Sequence, residues 1–470
     1  MGKGKKITFL GKNIGLFAIS SFGSRIISFL LVPLYTSALS TEDYGTVDLI
    51  ATTALLLIPI LTLEIQDAVL RYALDSRDKK QVISIGFQIT IIGSSIISVI
   101  LILGNIILRN RYDWILVWFL IISCFLGALN NVFTMYLKGI DKVADVVVSG
   151  LINTGVLCLC NILLLVVFPL GMYGYLVAYS AGLLLSCGYQ FIKGGIYKSI
   201  EKIHDYELKN EMLTYSKPLI ANQLSWWINN ASDRYILTFL KGITENGIYS
   251  VSYKVPTILS TLQSIFFNAW SISAIKDYDK EDNDGFFGEM YETYSLLSIL
   301  SCSVILVLNQ SIASLLYKKD FFFAWHYVPF LLVGTVFNGL AMFLGAIFTA
   351  TKQSQIISKT TIIGATVNTI GNIPLIYFFG GYGAAVSTFL GYLVMWMLRL
   401  NRIKENINID VRWLIHYSSL AIIIIQAFVA MLGTLIQVQI ALCILIIGIN
   451  RNLIKTVLSQ IINKIKEKHG

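Results

Sequence analysis

Charge is scarce in this sequence. Only 13% of its 470 residues are Asp, Glu, Lys or Arg, and 56% are hydrophobic. Soluble domains carry about 25% charged residues. With a mean hydropathy of +0.71, no soluble core could absorb this much apolar sequence, so a soluble fold is excluded. Histidine is scarcer still. The four (His204, His326, His416, His469) are scattered, no nucleophile–base arrangement is visible, and the chain is expected not to be an enzyme. The six cysteines all lie in apolar segments. None has metal-ligand spacing with histidine, and no loop offers a disulfide framework. They read as small packing residues, with no metal and no cofactor expected. The phosphate loop GxxxxGK[ST] is missing, which excludes ATP hydrolysis by this chain.

What is present is apolar length. A membrane span needs roughly 20 apolar residues. Fourteen segments qualify: 14–39, 46–70, 82–108, 114–137, 146–168, 172–192, 215–240, 247–275, 286–312, 327–350, 354–378, 382–400, 413–432 and 434–450. Lysines before the first of them lead into a full-length span, so no cleavable signal peptide is expected.

The net charge of +9 might suggest nucleic acid, but its distribution points elsewhere. With the N-terminus inside, 28 of the 36 Lys and Arg fall in cytoplasmic segments, counting the cytoplasmic ends of spans (Lys217, Lys359, Arg399), and five in outer loops (Arg109, Arg111, Lys241, Lys318, Lys319). That bias follows the positive-inside rule with both termini cytoplasmic, and no nucleic-acid partner is expected.

The remaining three cations, Arg25, Arg234 and Lys254, sit within spans away from their cytoplasmic ends. Arg25 is the sharpest case. An arginine at a helix centre costs about 2.5–3.5 kcal/mol on insertion scales. It is tolerable only facing a watery cavity or a partner, and the partner a cation selects is anionic.

Two features repeat. Tyr173-Gly174, Val177 and Gly182 recur as Tyr382-Gly383, Val386 and Gly391. Thr41-Glu42-Asp43-Tyr44-Gly45 has a counterpart in Thr244-Glu245-Asn246-Gly247. Both set span n against span n+6. Two six-helix halves follow, related by a parallel repeat because six is even. The expected division is an N-terminal lobe 1–193, a cytoplasmic linker 194–214, a C-terminal lobe 215–402, and two extra helices with a tail, 403–470.

Several spans carry polar stripes. In span eight Ser250, Lys254, Thr257, Thr261, Ser264, Asn268 and Ser271 are spaced 4, 3, 4, 3, 4, 3, which is one helical face. In span seven Asn222, Trp226, Asn229 and Asp233 follow 4, 3, 4, with Arg234 alongside; span eleven holds Asn368 and Asn372. Within lipid such faces must look at protein or water. Interhelical packing is the ordinary explanation; Lys254 and Asn268 fit it poorly, which favours cavity lining. Span two holds Glu64, Asp67 and Arg71 at 3, 4 spacing. They form either a salt-bridge ladder or an ion or proton site. Pro59 and Pro256 are candidate kinks.

Three stretches carry a family resemblance: GSRIISFLLVPLYTSALSTEDYGTVDL; YSKPLIANQLSWWINNASDRYILTFL followed by ENGIYSVSYKV; and NTIGNIPLIYFFGGYGAAVSTFLGY. They resemble polysaccharide-repeat flippases of the Wzx type, in the multidrug/oligosaccharidyl-lipid/polysaccharide exporter superfamily, and the resemblance covers spans one to twelve. It implies two six-helix lobes around a central cavity with alternating access. It implies a substrate too: undecaprenyl-diphosphate-linked oligosaccharide repeat units, flipped from the inner to the outer leaflet of a bacterial plasma membrane.

On this reading the substrate cavity is lined by Arg25, Asn222, Trp226, Asn229, Asp233, Arg234, Lys254, Asn268, Asn368 and Asn372, while Glu64 and Asp67 are candidates for proton or sodium coupling. The implied partners are the polymerase and glycosyltransferases of the pathway, with the chain itself monomeric. The alternatives are a multidrug/cation antiporter of the same superfamily, a flippase for peptidoglycan or teichoic-acid lipid precursors, and a non-transporting scaffold, against which the polar interiors weigh.

Overall fold

The computed structural model describes residues 26–75, 78–276, 282, 285–351, 353–404, 407, 409–433, 436–456 and 459. These residues are all-helical, with no strand among them. Arg25 and the first half of span one lie outside them. The chain folds as two compact units, 1–231 and 232–470.

Unit 1 holds α1 (Val32–Ala38), α2 (Thr41–Leu61), α3 (Ile65–Asp75), α4 (Lys79–Ile107), α5 (Trp114–Gly139), α6 (Val143–Ile162, extended by a π-helical turn Leu163–Val167) and α7 (Gly171–Ile192). The long helix α8 (Tyr206–Lys241) begins in unit 1 and ends in unit 2. Unit 2 continues with α9 (Ile243–Ser252), α10 (Pro256–Lys276), α11 (Phe286–Val307), α12 (Asn309–Leu316), a 3-10 helix Lys319–His326, α13 (Val328–Ala350), α14 (Ser354–Phe379), α15 (Gly381–Ile403), α16 (Trp413–Met431) and α17 (Ile436–Ile449).

Ten helices among the described residues are long and apolar enough to cross a membrane: α2, α4 to α7, α11 and α13 to α16. Spans one, seven, eight and fourteen are not among the ten. Of spans one and fourteen the described residues include the apolar helices Ile26–Ala38 and Ile436–Ile449. Helices α8 and α10 carry the polar residues that drew attention to them in the sequence.

The repeated elements fall in first turns rather than in loops. Ser40 caps α2 through a capping box: its hydroxyl accepts from Asp43 N at 3.1 Å, and the Asp43 carboxylate accepts from Ser40 N at 3.2 Å. Glu245 lies in the first turn of α9. Tyr173-Gly174 and Tyr382-Gly383 open α7 and α15. A Cβ at Gly174 would meet the Leu164 carbonyl oxygen at 2.8 Å, and one at Gly383 the Leu375 carbonyl oxygen at 2.0 Å. Only glycine allows each helix to turn back so tightly on the one before it.

The segment after α7 is anchored within unit 1. Gln81 of α4 donates to Glu201 Oε1 (2.7 Å) and the Lys202 carbonyl (3.0 Å) and accepts from His204 N (3.1 Å). Ser84 Oγ accepts from Glu201 N at 2.9 Å. In unit 1, α3, α4 and α5 share a core that includes Ile65, Val69, Val82, Ile85, Val132 and Phe133. In unit 2, α13 is the most buried of the membrane-length helices. A fork from Arg412 to Glu292 (Nη2–Oε2, 2.6 Å) ties the start of α16 to α11.

Candidate functional site

Span two is broken. Pro59 lies in the last turn of α2, where it has no N–H to give and crowds the preceding turn. Leu63 and Glu64 then take left-handed backbone angles, φ 53° and 51°, before α3 resumes at Ile65. Such angles are uncommon outside glycine and cost of order 1–3 kcal/mol each. They persist because the surroundings fix them: Glu64 is fully buried. Its Oε1 accepts from Gln66 Nε2 (2.7 Å) and from Gln223 Nε2 of α8 (3.1 Å), while Oε2 has no partner among the described residues.

The break takes Glu64 off the helix that carries the half-buried Asp67 and the exposed Arg71. The salt-bridge ladder, one of the two readings of Glu64, Asp67 and Arg71, presupposed one continuous helix. Glu64 bonds glutamines instead.

Helix α8 is pinned to span two twice, by the Gln223 bond and by Trp227 Nε1 donating to the Thr52 carbonyl at 2.9 Å. Their neighbours Asn222 and Trp226 are exposed, Trp226 by 57%. The side chain of Asn229 lies outside the described residues. Asp233, the fourth member of the 4, 3, 4 face, is only 1% exposed. The face therefore changes surroundings along α8, which passes from unit 1 to unit 2 between residues 231 and 232.

In unit 2 the Asp233 carboxylate is enclosed. Oδ2 accepts from Tyr249 Oη (2.7 Å) and Tyr253 Oη (2.8 Å), and Oδ1 accepts from Arg234 N (2.9 Å). The half-buried Arg234 lays its guanidinium over the Tyr253 ring, 5.3 Å from the centroid, within cation–π range. The sequence reading missed both tyrosines. Their i, i+4 spacing at one end of a polar stripe was the available signal.

Span eight is also broken, between Ser252 and Pro256, with the half-buried Lys254 in the break. The seven-residue stripe is divided accordingly. Ser250 is buried, whereas Thr257 and Asn268 are exposed. Below the break the hydroxyls of Thr261, Ser264 and Ser271 bond carbonyls of their own helix, at 2.6, 2.8 and 3.3 Å, and that of Thr257 bonds the Lys254 carbonyl in the break at 2.6 Å. Asn368 and Asn372 are buried in α14. Asn372 Nδ2 donates to Asn368 Oδ1 at 3.1 Å, and Ser387 Oγ of α15 donates to the Asn368 carbonyl at 2.7 Å.

The structure thus joins Glu64 to α8, and Asp233 and Arg234 to Tyr253. It gives Asn222, Trp226 and Asn268 accessible surfaces and places Asn368 and Asn372 inside unit 2. Asp67 lies beyond the break from Glu64.

All-helical architecture, ten membrane-length apolar helices and polar groups held at broken spans define a multi-pass membrane protein. Its fold is that of the flippase and exporter structures. The solved lipid II flippase MurJ, in an inward closed conformation, superposes with a TM-score of 0.68 at 16% identity, covering 93% of this chain and 99% of that one. An inward-facing multidrug resistance MATE family transporter of the MOP superfamily gives 0.62 at 14% identity, covering 81% and 95%.

Residues 10–275 match the family described as polysaccharide biosynthesis protein, and the chain belongs to it. Among curated relatives, an uncharacterized membrane protein of Methanocaldococcus jannaschii is 25% identical over 239 residues. The probable low-salt glycan biosynthesis flippase Agl15 of Haloferax volcanii is 24% identical over 226 residues. Each match spans 47% of this chain and about half the length of the relative, 46% and 48%.

Proposed function

We propose that the chain flips undecaprenyl-diphosphate-linked oligosaccharide repeat units from the inner to the outer leaflet of a bacterial plasma membrane. Both termini are cytoplasmic and access alternates between two six-helix lobes. The observation that carries this reading is the junction at α8. Asn222 and Trp226 offer an amide and a large ring to sugar hydroxyls and faces. Between them in sequence, Gln223 bonds the buried Glu64 at 3.1 Å. A change in the charge of Glu64 is therefore felt directly by the helix that presents the polar, aromatic face. Arg25 supplies the cation for the diphosphate, as its place in an apolar span suggests. In a low-dielectric setting such a pair is far stronger than in water.

A second reading, cation antiport, is favoured by Glu64 itself, whose Oε2 lacks a partner among the described residues. The two separate in proteoliposomes holding a fluorescent undecaprenyl-diphosphate oligosaccharide and an imposed proton or sodium gradient. The flippase reading expects protected label to appear in the opposite leaflet, and at least a ten-fold loss of rate in Trp226→Ala. Gradient-driven uptake of a cationic dye without movement of the lipid would support the antiporter instead.

A further inference from the structure

Arg399 is a buried cation that the functional reading does not use. Counted by sequence, it belongs to the cytoplasmic end of span twelve. In the structure it is 2% exposed and is among the largest fully buried side chains of the protein. All of its partners are neutral: Nε donates to Thr360 Oγ1 (3.0 Å), Nη1 to the Ala341 carbonyl (2.6 Å), and Nη2 to Thr361 Oγ1 (2.9 Å) and the Ile357 carbonyl (3.4 Å). No carboxylate among the described residues pairs with it. Those bonds engage four of the five N–H groups of a guanidinium, and the Nη2–Ile357 bond is long. Hydroxyls and carbonyls offset the desolvation of such a charge only in part; an anion would complete the task.

Arg399 also lines a cavity of about 310 Å³, at the small end of the roughly 300–1,000 Å³ typical of small-molecule sites. Phe267, Met342, Ala346 and Ile357 make most of the wall apolar, and Ser271 and Thr349 add hydroxyls. At Gly345 a Cβ would stand 3.0 Å from Nη1, so the missing side chain leaves the guanidinium room on that side. The cavity lies wholly within unit 2 and at one end of its helices. Thr349 is next to last in α13, Ile357 is in the first turn of α14, and Arg399 is four residues before the end of α15. Lys359 and Arg402 flank the same end in sequence, which on the basic bias is the cytoplasmic one.

From these features we propose that the Arg399 cavity binds the phosphate head of an anionic amphiphile, with the first part of its hydrocarbon chain against Phe267, Met342 and Ile357. A phosphate oxygen takes the remaining Nη1–H and replaces the long Nη2–Ile357 bond. A guanidinium beside an apolar wall fits neither free phosphate nor a neutral lipid as well. Two sources share this chemistry, a bulk anionic phospholipid and a polyprenyl phosphate. The site stands whether or not the chain is a flippase.

Native mass spectrometry of the purified full-length protein tests this, with phosphatidylglycerol, undecaprenyl phosphate, dioleoylglycerol and inorganic phosphate titrated separately. At least one of the two phosphate-bearing lipids should bind ten-fold or more tightly than dioleoylglycerol, and inorganic phosphate should bind weakly. Preference for phosphatidylglycerol identifies a membrane lipid, and preference for undecaprenyl phosphate identifies a carrier; both support the site. Arg399→Gln should abolish the preference. Because that variant also breaks the bonds to α13 and α14, Thr349→Trp, at an exposed rim position, serves as the second probe. It should block the cavity with Arg399 intact and cost the same preference. Equal binding of dioleoylglycerol, or a preference unchanged in Thr349→Trp, overturns the proposal.

Discussion

At Glu64 a buried carboxylate, two left-handed residues and a bond to a second helix meet in one place. Conversion to Gln keeps the shape and removes the charge, so Glu64→Gln should fold like wild type yet lose most of its response to an imposed gradient. Asp67→Asn, beyond the break and half-buried, should lose less. Reconstituted vesicles measure both, and a wild-type gradient response in Glu64→Gln would make Glu64 a purely structural residue. Asp233 is a contrasting case, because its carboxylate is committed to two tyrosine hydroxyls and a backbone N–H. Removing it in Asp233→Ala takes away an acceptor shared by two hydroxyls that also bond each other at 3.1 Å; a buried donor left unpaired costs about 1–3 kcal/mol. Thermal unfolding in detergent should show a drop of several degrees, with a smaller one in Tyr253→Phe. Arg25, outside the described residues, is tested by charge. Arg25→Ala should abolish transport at normal protein level, while Arg25→Lys should retain part of it, keeping the charge without the fork.

Elements decide which residues share a face, and here the breaks outweigh the periodicity. Helical spacing placed Glu64 with Asp67 and Arg71, and Ser250 with Thr257 and Asn268. Both groupings are interrupted where the helix itself stops, at Leu63-Glu64 and between Ser252 and Pro256. Prolines 59 and 256 marked both regions, but a proline signals a kink without giving the angle beyond it. The left-handed break supports a direct test. Leu63→Gly removes a side chain that disfavours φ near 53° and should be neutral or slightly stabilising, whereas Leu63→Ile, β-branched, should cost about 1–2 kcal/mol. If denaturant unfolding ranks the two the other way, the backbone there is not left-handed. The tight hairpins were more legible. The recurring glycines stand where a Cβ would strike the Leu164 and Leu375 carbonyls, and close packing is what the repeat encodes.

For the whole molecule, composition alone was enough to establish membrane residence and helical class. The family was legible because long stretches of spans one, seven and eight carry its pattern, within the matched residues 10–275. The groups that meet at the breaks were legible only in part: sequence singled out Glu64 and Asp233 but did not tie Gln223, Tyr249 or Tyr253 to them, because those contacts depend on which helices touch. Arg399 escaped notice because charge counting credited it to the cytoplasmic end of a span, and burial is a property of the fold. The central claim is that this chain moves a lipid-linked glycan across a bilayer. Its most direct test is the leaflet assay on the purified protein. Proteoliposomes carry a fluorescent undecaprenyl-diphosphate oligosaccharide, and a membrane-impermeant quencher is added at timed intervals. The account predicts that label becomes quenchable from the opposite side in a protein-dependent way, that Arg25→Ala abolishes this, and that Glu64→Gln leaves it insensitive to the gradient. A flipping rate equal to that of protein-free vesicles, measured on well-folded protein with a gradient imposed, would contradict it.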